Sequence, residues 1–229
     1  MSSRIAVFLI LAGLVYAQAP YLLIMDSTGS MEESLPNSSQ TKMEAAKIAA
    51  TDFVDSTSGE IGLMVFADCD SSGDYIKGGI RVVENFTTDK ASLEEKIGKL
   101  EPQANTAIAD ALQEGNDYLT ATRGSGTIII ITDGEETCGG DPVDLAGQIY
   151  QNGTGRVHVI GFLLGDSAEK KARAIAAAGG GNYYGASDVG SLTSALGQIT
   201  AENQSPPCCP AFVLPGLVAL AAFYFRRAG

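Results

Sequence analysis

The 229 residues predict an α/β fold: a doubly wound, mostly parallel sheet with one antiparallel edge strand and helices on both faces. Three observations carry this. Several apolar runs lack the in-out alternation of a half-exposed strand, the mark of strands buried on both faces. Segments of helical period separate most of them, as βαβ units require. One pair of strand-like runs, within residues 61–86, has no helix between its members, so one edge strand runs antiparallel.

Residues 20–26 (Pro-Tyr-Leu-Leu-Ile-Met-Asp) form the first apolar run and close on a carboxylate. Residues 61–67 (Ile-Gly-Leu-Met-Val-Phe-Ala) form the second. The clearest is 126–133 (Gly-Thr-Ile-Ile-Ile-Ile-Thr-Asp), a block of isoleucines bounded by turn residues, and 157–164 (Val-His-Val-Ile-Gly-Phe-Leu-Leu) is the fourth. Residues 80–86 and 182–185 are weaker strands. Among the helices, 41–54 sets Met43, Ala46, Ala50, Phe53 and Val54 on one stripe. Residues 89–100 begin on an acidic cap and end ahead of Pro102. Residues 106–119 carry Ile108, Ala111, Leu112 and Leu119, and Asp141-Pro142 opens a further helix with proline in its first turn. Residues 167–178 and 188–201 complete the set.

Composition narrows the function. The net charge is -12, and the three arginines of the terminal segments (Arg4, Arg226, Arg227) have no acidic residue near them, so the middle is more acidic still. Such a surface repels phosphate backbones, which excludes nucleic acid as a partner. Arg4, the apolar stretch 5–16 and the small residues Val15 and Ala17 before Gln18 have the three-part form of a signal peptide. Residues 211–225 are uncharged and are followed at once by Arg226 and Arg227. Counted from Cys208, the stretch approaches the roughly 17 residues a membrane span needs at minimum. The arginines favour a cytoplasmic end, which places the middle outside the cell. The expected organisation is therefore a signal peptide at 1–17, one α/β domain at 18–202, a linker at 203–210, and a transmembrane or sorting segment with a basic end at 211–229. Asn37, Asn85, Asn152 and Asn203 each begin an Asn-x-Ser/Thr triplet, as exposed extracellular chains allow.

The chemistry concentrates in three separated places. Asp26-Ser27-Thr28-Gly29-Ser30 follows the first strand. Asp133 ends the isoleucine strand, and Thr106 opens the helix leading into it. Open α/β sheets place ligands outside the carboxyl ends of their strands, so Asp26, Thr28, Ser30, Thr106 and Asp133 are expected on one edge. Their side chains offer oxygen alone. Hydroxyls and carboxylates are hard donors that suit Mg²⁺, with Mn²⁺ or Ca²⁺ as alternatives.

These motifs resemble the von Willebrand factor type A (VWA) domain and its metal-ion-dependent adhesion site (MIDAS), written Asp-x-Ser-x-Ser, then a distant Thr, then a distant Asp. Asp26, Thr28 and Ser30 match the first part, with threonine where serine is usual. Thr106 within Asn105-Thr106-Ala107-Ile108 matches the second, and Asp133 within Thr132-Asp133-Gly134-Glu135 the third. The resemblance spans residues 20–201. It implies a Rossmann-like sheet and a module that binds a protein ligand through the metal, the ligand supplying a carboxylate; with the one histidine misplaced for a general base, no enzyme is expected. A structural component of a surface assembly and a metal-dependent hydrolase are the alternatives.

Other residues have plainer readings. His158, the one histidine, lies in a buried strand and reads as a core residue. Asp68, Asp70 and Asp74 lack the downstream glutamate of a calcium loop and read as a solvated acidic stretch. Glu135 and Glu136 beside Asp133 are expected to repel anions and shape ligand choice. Four cysteines in an exported chain permit disulfides. A Cys69–Cys138 bond would tie loop 68–75 beside the metal-bearing edge, but the sequence leaves the pairing open. It also leaves Cys208 and Cys209 open between lipidation, intermolecular pairing and free thiols.

Overall fold

The computed structural model describes residues 18–67, 69, 79–103 and 105–204. The expected signal peptide, the C-terminal segment, Cys208, Cys209 and the acidic positions 68, 70 and 74 lie outside the described residues. Among the described residues no helix is long and apolar enough to cross a membrane.

The chain runs β1 (Tyr21–Asp26), a 3₁₀ turn (Gly29–Glu32), α1 (Lys42–Ser56), β2 (Ile61–Phe66), β3 (Arg81–Thr87), α2 (Lys90–Gly98), α3 (Ile108–Arg123) and β4 (Gly126–Thr132). It continues through α4 (Pro142–Gln151), β5 (Gly155–Phe162), α5 (Asp166–Ala178), β6 (Gly180–Ala186) and α6 (Val189–Gln204). The sheet order is β3-β2-β1-β4-β5-β6. Only β3 is antiparallel, at the edge, as expected from the sequence. Arg81 and Glu84 on β3 place charge on that edge, which discourages pairing with another chain.

Side-chain alternation splits the core into two layers. Tyr21, Leu23 and Met25 of β1, with Ile129 and Ile131 of β4, face α1, α2 and α6. Tyr21 meets the Phe53 ring edge-on at 5.4 Å. Leu22, Ile24, Ile128 and Ile130 face α3, α4 and α5. All four isoleucines are fully buried, each worth roughly 1.5–3 kcal/mol on burial. This two-sided burial is why the strand read as an unbroken apolar run. Gly115 lets α3 lie close on the sheet, since a Cβ there would sit 2.9 Å from Ile24 Cδ1.

Local signals set most boundaries. Thr41 and Glu44 form a capping box at α1, Asp89 caps α2, and Asp141 accepts hydrogen bonds from Val143 N and Asp144 N at α4. Several boundaries differ from the sequence reading, three of them with consequences. α3 begins at Ile108, leaving Thr106 in the preceding loop. β5 starts earlier, at Gly155, because it pairs with Gly126 of β4. α6 continues to Gln204.

Candidate metal centre

β1 and β4 are neighbours, and from them the strand order runs outward in opposite directions. A crevice opens where chains leave such strands in diverging directions. Asp26 is the last residue of β1, and Asp133 is the first after β4. Sheet pairing alone therefore brings together two carboxylates that are 107 positions apart in the numbering.

Beyond Asp26 the chain folds back on itself. Asp26 Oδ1 accepts from Thr28 N at 2.9 Å. The 3₁₀ turn then lifts Ser30, whose hydroxyl donates to Asp133 Oδ1 at 2.7 Å. Thr28 Oγ1 and Ser30 Oγ lie 3.1 Å apart. Ser30 has one hydroxyl proton and commits it to Asp133, so Thr28 is the donor of that pair. Ser30 Oγ then accepts from Thr28 on one lone pair and keeps the other for a cation. Asp26 Oδ2 accepts from Thr132 Oγ1 at 2.7 Å. Both carboxylates are thus held by named donors, and the hydroxyls between them are oriented.

Thr106 joins from α3's leading loop. Its hydroxyl faces the residue after Asp133: a Cβ on Gly134 would come within 3.3 Å of Thr106 Oγ1. Thr137 fixes the Thr106 backbone. Thr106 N donates to Thr137 Oγ1 at 3.1 Å, and Thr137 N donates to Thr106 O at 2.9 Å. On the other side Asn105 N donates to Ala67 O at 2.8 Å, and Gln103 N to Ser27 O at 2.6 Å. The structure thus gathers all five predicted positions at one edge, with Thr106 on the flank.

Burial sets the electrostatics of the site. Asp26 is fully buried. Loss of solvent pushes its pKa up to about 6; the hydrogen bond from Thr28 opposes the rise and the charge of Asp133 adds to it. Among the described residues no three His, Cys, Asp or Glu side chains converge, so three of the five donors here are hydroxyls. Two buried carboxylates with hydroxyls between them fit a hard divalent ion, which Asp26 in particular would welcome.

One participant, Lys42, escaped the sequence reading. Lys42 Nζ donates to Asp133 Oδ2 at 2.8 Å and to Glu33 Oε2 at 2.7 Å. Its signal was present, since a lysine in the first turn of a helix opposes the helix dipole and calls for a reason. Glu136 corrects an expectation. Its carboxylate accepts from Ala109 N at 2.7 Å and Cys138 N at 2.6 Å, capping α3, whose own N-cap Ala107 has no side-chain acceptor. It serves the helix and is not turned toward anions. Glu135 pairs with Lys171 at 2.5 Å. Cys69 and Cys138 form a disulfide, with Cα atoms 5.1 Å apart, which ties the segment after β2 to the loop after Asp133.

His158 lies where expected, buried in β5, with Nδ1 accepting from Asn182 N at 3.2 Å. Burial lowers its pKa.

Comparison with known proteins agrees with this geometry. The von Willebrand factor type A domain profile matches residues 21–136. The uncharacterized protein YwmC of Bacillus subtilis (strain 168) is 31% identical over 181 residues, covering 73% of this chain and 77% of its own. An aerotolerance-related membrane protein from Bacteroides fragilis superposes with a TM-score of 0.64 at 22% identity, over 80% of this chain and 99% of that one. Proximal thread matrix protein 1 from the mussel byssus, solved with a zinc-occupied MIDAS motif, gives 0.63 at 18% identity, over 80% of this chain and 45% of that one. The two solved structures share the fold. The profile match over residues 21–136, with the similarity to YwmC beside it, shows that this chain belongs to the von Willebrand factor type A domain family.

Proposed function

We propose that this is an exported, membrane-anchored VWA module that binds a protein ligand through a divalent ion held by Asp26, Thr28, Ser30, Thr106 and Asp133. The observation that carries the reading is the hydrogen bond from Ser30 to Asp133, which joins two motif segments and, with Thr28 donating to Ser30, leaves one lone pair of the hydroxyl for a cation. A bound ion would supply a Lewis-acidic position for an incoming carboxylate oxygen. This chain's part is to orient the hydroxyls, bury the two carboxylates and keep the loops fixed. The oxygen donors favour Mg²⁺, with Mn²⁺ or Ca²⁺ as alternatives. The mussel protein's zinc makes zinc worth including in the assay.

The reading is of a binding module, not an enzyme. The sole histidine is buried in the sheet with a backbone partner and is not poised as a base beside the centre. The signal-like residues 1–17 and the apolar residues 211–225 support export and anchoring, and the similar Bacteroides fragilis chain is itself a membrane protein.

Calorimetric titration with Mn²⁺ and Mg²⁺, wild type against Asp133→Ala, tests the metal. Binding in the wild type that the substitution removes, with chelator-sensitive capture of a glutamate-bearing peptide, is expected. A folded wild type that takes up neither ion would refute the proposal.

A further inference from the structure

Lys42 is out of place by every local rule. It occupies the first position of α1, immediately after the Thr41 cap, where the helix dipole repels cations. Its side chain is only 9% exposed, although lysine is rarely buried without a strong partner. Its ammonium bridges Asp133, whose side chain is fully buried, and Glu33, which is 66% exposed. Asp133 therefore shares one oxygen with Ser30 and the other with a fixed positive charge.

The charge balance gives the consequence. A divalent ion facing Asp26 and Asp133 alone makes a neutral centre. With Lys42 counted, the same centre carries an excess positive charge, since Glu33 faces water and is screened. We infer that Lys42 is a specificity-determining residue that weakens the hold of Asp133 on a divalent cation and, in return, strengthens the loaded centre's capture of an anionic group. This rests on the metal-binding reading above.

A purely structural brace is the alternative. Lys42 N also donates to Glu33 O at 2.9 Å, so the residue could simply pin the turn after Ser30 to the sheet edge. A brace and a charge-setting residue differ in sign. Loss of a brace loosens the site and weakens cation and anion binding together. Loss of the charge moves them in opposite directions.

The test uses the full chain, Mn²⁺ as the cation and acetate as the anion. Calorimetry reads Mn²⁺ affinity, and proton relaxation of acetate by bound Mn²⁺ reads anion capture. In Lys42→Met, Mn²⁺ binding tightens by about tenfold or more, as removal of a unit charge a few ångströms away requires, while acetate affinity drops severalfold. Lys42→Arg, which keeps the charge, stays near wild type. Lys42→Gln, which removes the charge but keeps a donor toward Asp133, covers the case in which Lys42→Met does not fold: Mn²⁺ tightens and acetate weakens there as well. If cation and anion affinities move in the same direction in the folded variants, or do not move, the inference is overturned and the metal site stands. If the wild type binds no Mn²⁺, both fall.

Discussion

Replacing Asp26 by asparagine should stabilise the metal-free protein while destroying its cation site. Asp26 is fully buried, and desolvation raises its pKa from 3.8 to about 6. At about 1.4 kcal/mol per unit, holding this carboxylate ionised at neutral pH costs about 3 kcal/mol. A raised pKa contributes stability that is complete below the unfolded value and lost as pH rises through the folded one. In chelator, then, Asp26 weakens the fold progressively between pH 3.8 and about 6. Asparagine keeps the geometry, since Oδ1 can still accept from Thr28 N and the amide can donate to Thr132 Oγ1. Urea denaturation in chelator, wild type against Asp26→Asn, should show the variant about 1–3 kcal/mol more stable at pH 7, with the advantage falling by about half at pH 5. Comparing the two proteins at each pH cancels the groups they share, including His158, which acts in the opposite sense. With saturating Mn²⁺ the order should invert, because only the wild type gains from binding. An Asp26→Asn protein less stable than wild type at pH 7 in chelator would refute the account of Asp26 as a buried charge awaiting a cation.

Three further outcomes follow from the same structure. The Cys69–Cys138 bond closes a loop with a sequence separation of 69, so reduction or Cys69→Ala with Cys138→Ala should cost about 2–4 kcal/mol, read by thermal denaturation with and without reductant. Glu136→Ala removes the only side-chain acceptor described at the start of α3 and should cost about 1–2 kcal/mol; hydrogen exchange should quicken at Ala109 and Cys138 ahead of the rest of the helix. His158 should titrate below 6.5 in an NMR pH series that is unambiguous with one histidine in the chain. Its depressed pKa contributes stability present above 6.5 and lost on acidification through the folded value, and a titration at or above 6.5 would contradict its burial.

Much of the fold was legible because its determinants are local or periodic. The isoleucine run read as a strand covered on both faces, and the lack of a helical pattern between the second and third strand-like runs pointed to the antiparallel edge. Capping residues gave α1, α2 and α4 their starts. All five oxygen-bearing positions were also legible, because strand ends in an α/β sheet share an edge and the motif spacing carries a family resemblance.

Tertiary structure alone decided what those residues do to one another. The sequence assigned Thr106 to a helix, but α3 needed a cap that Ala107 cannot provide; Glu136 supplies it from 27 residues away, and the helix starts at Ile108. Glu136 read as a surface charge because one of its two donors, Ala109 N, lies 27 residues back in the sequence. The Cys69–Cys138 pairing rested on two loops meeting. Lys42 is the sharpest case. Its place in the first turn argues against a cation there, and its burial is accounted for by Asp133, 91 positions along the chain, with Glu33 as a second partner. Periodicity and capping operate within a few residues and so are written into the sequence. Charge balance operates through space, and it is fixed only when the sheet has brought distant strand ends together.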